Sequence, residues 1–284
     1  MDTGLDGHAV TELRSLRSQI GVSSGKGPIE DAFAFAAEQG IEWLELACQE
    51  PVNFPRTFDP ERVARVRSLI DQYAMRCVVH SASFVNTAET MPGVREASEE
   101  HLKEYIRLTH DLGCQILIVH AGFHFSLGLD EPMAALLKTL RGCVELAADL
   151  DVQMVLENMN VLPAEAEVLY LGCTTDEVAQ ILDAVDSPHL TSCLDLGHAH
   201  LLPEGAQAFT ERFAGRIGHV QLTDNDGVHD QHLALGDGTL DVADAFAQLL
   251  RLGYTGGIAI ELSDREQQLR SLAYLDKIFG EGSA

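Results

Sequence analysis

The chain has 284 residues, 46% of them hydrophobic and 22% charged, which supplies apolar material for one large core and suits a single barrel-sized α/β domain. Its 44 acidic residues against 19 basic ones give a formal charge of −25, a balance that repels phosphate backbones and argues against a nucleic-acid partner. No run reaches membrane-spanning length, the first residues (MDTGLDGHAV) show no basic stretch leading into an apolar one, and the six cysteines are scattered without a CxxC pair; a cytoplasmic chain with reduced thiols and no membrane partner is expected.

Residues 1–17 are polar and read as an N-terminal extension, leaving 18–284 as one domain. From residue 18 a regular alternation begins. SQIGVSS (18–24) predicts a strand and 28–39 a helix; IEWLELA (41–47) is followed by a helical 60–73. MRCVVH (75–80) precedes a helix over 94–112, CQILIVH (114–120) precedes 131–150, and VQMVLEN (152–158) precedes 175–184. LTSCLDL (190–196) precedes 207–213, IGHVQLTD (217–224) precedes 242–252, and GGIAIELS (256–263) precedes 265–279.

Short apolar strands alternating with helices predict a parallel sheet, and eight such units predict a single closed (β/α)8 TIM barrel. The competing open, doubly wound sheet usually carries a Gly-rich turn after its first strand. GVSSGKG (21–27) has neither the GxGxxG nor the P-loop spacing, so its glycines read as loop glycines. Asp59-Pro60 and Thr174 are placed to cap helices, and Gly40, Gly113 and Gly253 to end them. The long loops 48–59, 81–93 and 224–240 follow strands, which puts them on the active face as a lid or substrate wall.

The strand ends carry the chemistry. In order they are Ser23, Glu45, His80, His120, Glu157, Asp195, His219 with Gln221, and Glu261. In a barrel these converge on one mouth. His219 and Gln221 share one face of their strand, Glu261 shares a face with the small Ala259, and His198 follows Asp195 by three residues. Carboxylates facing one another cannot all stay ionised without a compensating cation, and a divalent metal ion is the simplest one. Glu157, Asp195, Gln221 and Glu261 offer a hard, oxygen-rich set that favours Mn²⁺ or Mg²⁺, while the nearby histidines keep Zn²⁺ or Co²⁺ open. Plainer roles exist for each residue: Asp195 as a loop cap, His80 and His120 as satisfied core histidines, Gln221 bonded within the barrel, Glu45 in a barrel salt bridge. Four such coincidences on successive strands are disfavoured.

The chain resembles the xylose isomerase-like barrel superfamily of sugar isomerases and epimerases, which also contains endonuclease IV. The resemblance spans roughly residues 18–280 and rests on VVH (His80), VHAG (His120), LEN (Glu157), CLDLGH (Asp195, His198), HVQLTDNDG (His219, Gln221), DQHLALGDGTLD (Asp230, His232) and IELS (Glu261). In the epimerases it resembles, one divalent metal is held by Glu, Asp, His and Glu, with Gln in the third place in hydroxypyruvate isomerase-like members. That implies Glu157, Asp195, Gln221 and Glu261 as ligands and Glu157 with Glu261 as the acid/base pair. His80, His120, His198, His219, Asp230, His232 and Glu45 would line the substrate.

The implied activity is a metal-dependent sugar or keto-sugar isomerase or epimerase. One glutamate would remove a proton beside the carbonyl, the metal would stabilise the enediolate, and the other glutamate would return the proton. The substrate would be a small sugar or keto-polyol, unphosphorylated because no phosphate cradle is visible. A keto-sugar dehydratase or lyase would use the same enolate chemistry. The alternative is a zinc-dependent apurinic endonuclease: the chain is similar to most of endonuclease IV's three-zinc set through His80, His120, Glu157, Asp195, His198, Asp230, His232 and Glu261, and departs from it at Gln221. A barrel that only binds is the third reading. Homo-oligomers occur among relatives, and no interface is legible here.

Overall fold

Eight short runs rich in Val, Ile and Leu lie side by side and close on themselves in the computed structural model, which describes residues 12–125, 128–163 and 165–280. The chain builds β1 (Ile20–Ser23), α1 (Ala32–Glu38), β2 (Trp43–Ala47), α2 (Pro60–Tyr73), β3 (Arg76–His80), α3 (Pro92–Asp111) and β4 (Ile116–Val119). It continues with β5 (Phe123–Phe125), α4 (Asp130–Asp149), β6 (Gln153–Glu157), β7 (Val168–Tyr170), α5 (Thr175–Val185), β8 (Leu190–Asp195), α6 (Leu196–His200) and α7 (Gly205–Arg212). It ends with β9 (Ile217–Leu222), α8 (Val242–Arg251), β10 (Ile258–Ile260) and α9 (Arg265–Ile278). The closed barrel runs β1-β10-β9-β8-β6-β4-β3-β2, every pairing parallel, with helices outside. This is the (β/α)8 barrel that the alternation predicts.

The main core fills the layer between strands and helices. Phe246 of α8 stacks on Phe279 at 5.9 Å, both fully buried; each such side chain contributes about 2–3 kcal/mol by leaving water. The helix ends follow their local chemistry. Asp59 Oδ1 accepts the Arg62 N–H at 2.7 Å ahead of Pro60, and Thr174 Oγ1 accepts the Glu177 N–H at 3.2 Å. Gly40, Gly113 and Gly253 end helices with φ of 66°, 76° and 67°, where a Cβ would be strained.

Four features differ from the sequence reading. Gly21 lies inside β1, as the strand reading of 18–24 has it and not as a loop glycine, and a Cβ there would stand 2.7 Å from that of Trp43; the two strands need the missing side chain to approach. β5 and β7 form an antiparallel pair outside the barrel, each three residues long and so too short to show alternation. A short additional helix, α6, starts directly after Asp195, ahead of the expected 207–213 helix, which is α7 (Gly205–Arg212). The loop 48–59 is shaped by two 3-10 turns, Pro51–Asn53 and Pro55–Thr57, and clamped by buried Arg62. Arg62 donates to both Glu30 oxygens (2.8 and 2.9 Å), to Val52 O (2.6 Å) and to Asn53 Oδ1 (2.9 Å).

Residues 1–11 of the expected extension lie outside the described residues. Leu13 and Leu16 are buried in the main core, and Arg14 Nε donates to Phe279 O at 3.0 Å, tying this segment to the end of α9. Among the described residues no helix is long and apolar enough to cross a membrane.

Candidate active site

Period 2 along the strands builds the site. Val78, Ile118, Val155 and Cys193 form a small buried cluster inside the barrel. Two residues further along each strand, on the same inward face, stand His80, His120, Glu157 and Asp195. Trp43 to Glu45, His219 to Gln221 and Ala259 to Glu261 repeat the step. The result is a plug that is apolar apart from His219, with a polar layer above it. Gln221 is in register with both Asp195 and Ala259, so it stands between the strands that carry Asp195 and Glu261. His198 comes from the first turn of α6, and Asp230 and His232 from the loop after β9. Glu45, His80, His120, Glu157, Asp195, His198, His219 and Gln221 are buried, whereas Asp230, His232 and Glu261 are half-buried.

Glu157 joins the two halves of the layer. Its Oε2 lies 3.1 Å from His120 Nε2 and 3.5 Å from His80 Nε2, and those nitrogens are 3.0 Å apart. Its Oε1 lies 3.5 Å from His198 Nδ1, which is 3.7 Å from Asp195 Oδ2. Glu261 Oε1 is 3.5 Å from His80 Nδ1. Asp230 bridges two imidazoles, with Oδ2 3.4 Å from His198 Nε2 and Oδ1 3.4 Å from His232 Nε2. Ligand-capable atoms thus gather within 4.8 Å in overlapping groups: His80, His120 and Glu157; Glu157, Asp195 and His198; Glu45, His80 and Glu261; His198, Asp230 and His232. His219 sits with Glu45, its Nε2 3.4 Å from Glu45 Oε2.

The donor set suits a divalent cation. Glu157 Oε2, Asp195 Oδ2, Asp230 Oδ1 and Glu261 Oε2 are buried oxygens without a hydrogen-bond partner, as is Gln221 Nε2. Unpartnered buried carboxylate oxygens are costly unless a cation faces them. Gln221 Oε1 accepts from the Cys193 thiol at 3.2 Å, and a half-turn of the amide would bring its oxygen to the unpartnered position.

The two glutamates are in unlike environments. Burial works to raise the Glu157 carboxyl, but His120 and His80 hold it well below the usual range. Burial pushes the Glu261 carboxyl well above it, against the pull of His80. Asp195 is also raised by burial. Burial opposes charge on Glu45 too, yet His80 and His219 bring it down to about 2. Burial works to lower the half-buried His232, but Asp230 and Glu261 push it up to about 10.

Neighbouring groups set ring orientation. His80 Nδ1 faces Glu45 Oε1 at 2.9 Å, leaving Nε2 for His120 and Glu157. His198 Nδ1 donates to Asn158 O at 2.8 Å, leaving Nε2 for Asp230. Asn158 was not singled out by the sequence, yet it clamps β8: its Oδ1 accepts the Asp195 N–H at 2.8 Å and its Nδ2 donates to Asp195 O at 3.0 Å. The available signal was its place directly after Glu157. Asp224 was also missed. It is fully buried and accepts from the N–H groups of Gly236 (2.9 Å), Gly238 (3.0 Å), Leu240 (3.0 Å) and Asn225 (2.9 Å). These bonds close the loop that carries Asp230 and His232. His232 itself is held at φ 46°, in the left-handed region, with Nδ1 donating to Glu261 O at 3.3 Å.

A cavity of about 570 Å³ opens beside Glu261 and His232, walled by the loops after β1, β2 and β3 and by the loop after β9.

Comparison with known proteins matches the family model described as xylose isomerase-like TIM barrel to residues 33–278. Fructoselysine 3-epimerase from Escherichia coli O157:H7 is 24% identical over 251 residues, 83% of this chain and 86% of that one. A probable endonuclease 4 from Symbiobacterium thermophilum is 27% identical over 256 residues, 85% of this chain and 90% of its own. Among solved structures, a D-tagatose 3-epimerase-like protein superposes with a TM-score of 0.82 at 26% identity, covering 93% of this chain and 98% of that one.

Proposed function

The chain belongs to the xylose isomerase-like TIM barrel family, and from that membership we propose that it is a divalent-metal-dependent sugar isomerase or epimerase acting on a small ketose or keto-polyol. The observation that carries this reading is the set of unpartnered buried carboxylate oxygens on Glu157, Asp195 and Glu261 in one polar layer. Relatives named for sugar chemistry, such as fructoselysine 3-epimerase, support it.

Glu157, Asp195, Glu261 and the Gln221 oxygen would hold the metal. A bound divalent cation supplies positive charge beside the substrate's carbonyl and hydroxyl oxygens and lowers the cost of charge developing there. Oxygen ligands suit Mg²⁺ or Mn²⁺; the surrounding imidazoles suit Zn²⁺ or Co²⁺. Glu157 on β6 and Glu261 after β10 are separated by β8 and β9 in the eight-strand ring, so they face the mouth from well-separated directions. Two carboxyls so placed can take a proton from one face of a carbon and return one from another direction. His198 and His232 have nitrogens beside Asp230, where substrate hydroxyls can be oriented.

The test is proton exchange. Metal-loaded protein incubated in D₂O with a panel of ketoses is expected to place deuterium at the carbon beside the carbonyl; no exchange across the panel overturns the reading. The same spectra separate epimer or isomer products from the dehydrated products of a lyase.

A second reading, a zinc-dependent apurinic endonuclease, is favoured by the His80, His120, Glu157 and His198, Asp230, His232 groups and by the endonuclease-named relative. Against it stands the formal charge of −25, which repels DNA. Incision of an abasic duplex by the zinc-loaded protein, without ketose exchange, would establish this second reading instead.

A further inference from the structure

We infer that the substrate is a ketose joined to a second polar unit, and that this unit occupies a subsite between the loops after β1, β2 and β3. The inference rests on the sugar-isomerase reading above and extends it. The starting observation is volume. The cavity beside Glu261 and His232 measures about 570 Å³, within the range of pockets that enclose ligands of drug size and more than one monosaccharide fills. Lys26 and Phe84, on the loops after β1 and β3, line the same space as the Glu261 carboxyl, which leaves room for a unit beyond a single ketose held there.

The chemistry of the wall is that of a binding site. Gln49 and Gln231 line it with primary amides, which both donate and accept and so match hydroxyl, amide or carboxylate groups without committing charge. Gln49 also continues into the reacting layer, with Nε2 3.1 Å from His80 Nδ1, so a ligand touching it is in register with the catalytic residues. Lys26 brings an exposed ammonium to this wall. In a chain of formal charge −25 that cation is a local exception, and it suits an acidic group on the second unit.

Phe84 supplies the remaining element. It lines the same cavity and is 60% exposed, one of the large apolar side chains the fold leaves in water. Its ring is backed by Phe54 at 6.0 Å between centroids, tilted by 56°. A supported aromatic face at a cavity mouth is a platform for the flat C–H face of a sugar or for an alkyl chain. Nothing in proton transfer between Glu157 and Glu261 requires it. The loop that holds Lys26 is fixed as well: Glu50 Oε2 accepts the Gly27 N–H at 3.1 Å, and Asn53 Nδ2 donates to Gly27 O at 2.8 Å. The wall is pre-formed, so little ordering is needed on binding.

Contacts remote from the reacting carbon raise turnover when their energy is used at the transition state. The experiment compares deuterium incorporation from D₂O into D-fructose, a fructosyl-amino acid substituted at C1, and 6-O-glucosyl-fructose. At least one extended substrate is expected to exceed D-fructose in kcat/KM by about ten-fold or more. Phe84→Ala and Lys26→Met are each expected to narrow that ratio several-fold, with circular dichroism reporting an intact fold. Equal or faster exchange with D-fructose overturns the subsite while leaving the isomerase reading in place. A preference that both variants leave unchanged also overturns it. Exchange with none of the three overturns the inference together with the reading it rests on.

Discussion

At the scale of residues, Glu157 and Glu261 make unlike demands on the fold. Glu157 has imidazole nitrogens within 3.5 Å of both oxygens, whereas Glu261 has one, His80, near Oε1 alone. If both exchange protons with substrate, Glu157→Gln and Glu261→Gln each lower deuterium incorporation by about 10²-fold or more. Retained circular dichroism would show that the loss is chemical. Arg62 tests structure rather than chemistry. Arg62→Ala removes a buried guanidinium that satisfies Glu30, Val52 and Asn53, at a cost of about 2–3 kcal/mol visible in the urea midpoint. Its partner gives a pH dependence of known sign. The hydrogen bond from Arg62 lowers the Glu30 carboxyl from its ordinary 4.5. The stability it contributes is therefore complete above that value and lost as pH falls through the lower folded value. Wild type and Glu30→Gln should differ most near neutrality and converge as pH falls through the lowered Glu30 value; a constant gap would contradict this.

At the scale of elements, the loop after β9 is held by one carboxylate. Asp224 gathers four N–H groups, and Gly238 lies so close that a Cβ there would collide with Asn225 O. Asp224→Asn and Gly238→Ala should loosen residues 225–240, raising their amide exchange and lowering kcat through displaced Asp230 and His232. The barrel midpoint should move less than for Arg62→Ala. Legibility follows the same lines. Strand ends were readable because an apolar run broken by Glu157, Asp195 or Glu261 stands out, and period 2 fixes which neighbours share a face. Asp224 was not readable, since a carboxylate at the start of a loop looks solvated until the chain folds back over it. Asn158 was hidden because its partners, the backbone groups of Asp195 and the Nδ1 of His198, belong to another strand and the helix after it. The β5–β7 pair was hidden by its length.

At the scale of the whole molecule, 44 acidic residues against 19 basic ones repel one another in the compact state. Raising KCl from low to about molar concentration shortens the screening length to about 3 Å and should raise the thermal midpoint by several degrees. A midpoint that is flat or falls would show that the acidic groups are spaced widely enough for repulsion not to matter. The same charge bears on the endonuclease reading, because added salt cannot create the cationic surface that a duplex needs.

The plug of Val78, Ile118, Val155 and Cys193, with donors two positions further on, has an evolutionary corollary. Packing selects the lower residues and chemistry the upper ones, and one backbone phase serves both. Mutation can therefore rewrite the upper ring one side chain at a time while the lower ring keeps the scaffold heritable. Gln221, above His219 on β9, is the position at which to test this: Gln221→His should change metal content while the thermal midpoint holds. A lineage built this way can acquire new catalysts through single-codon steps.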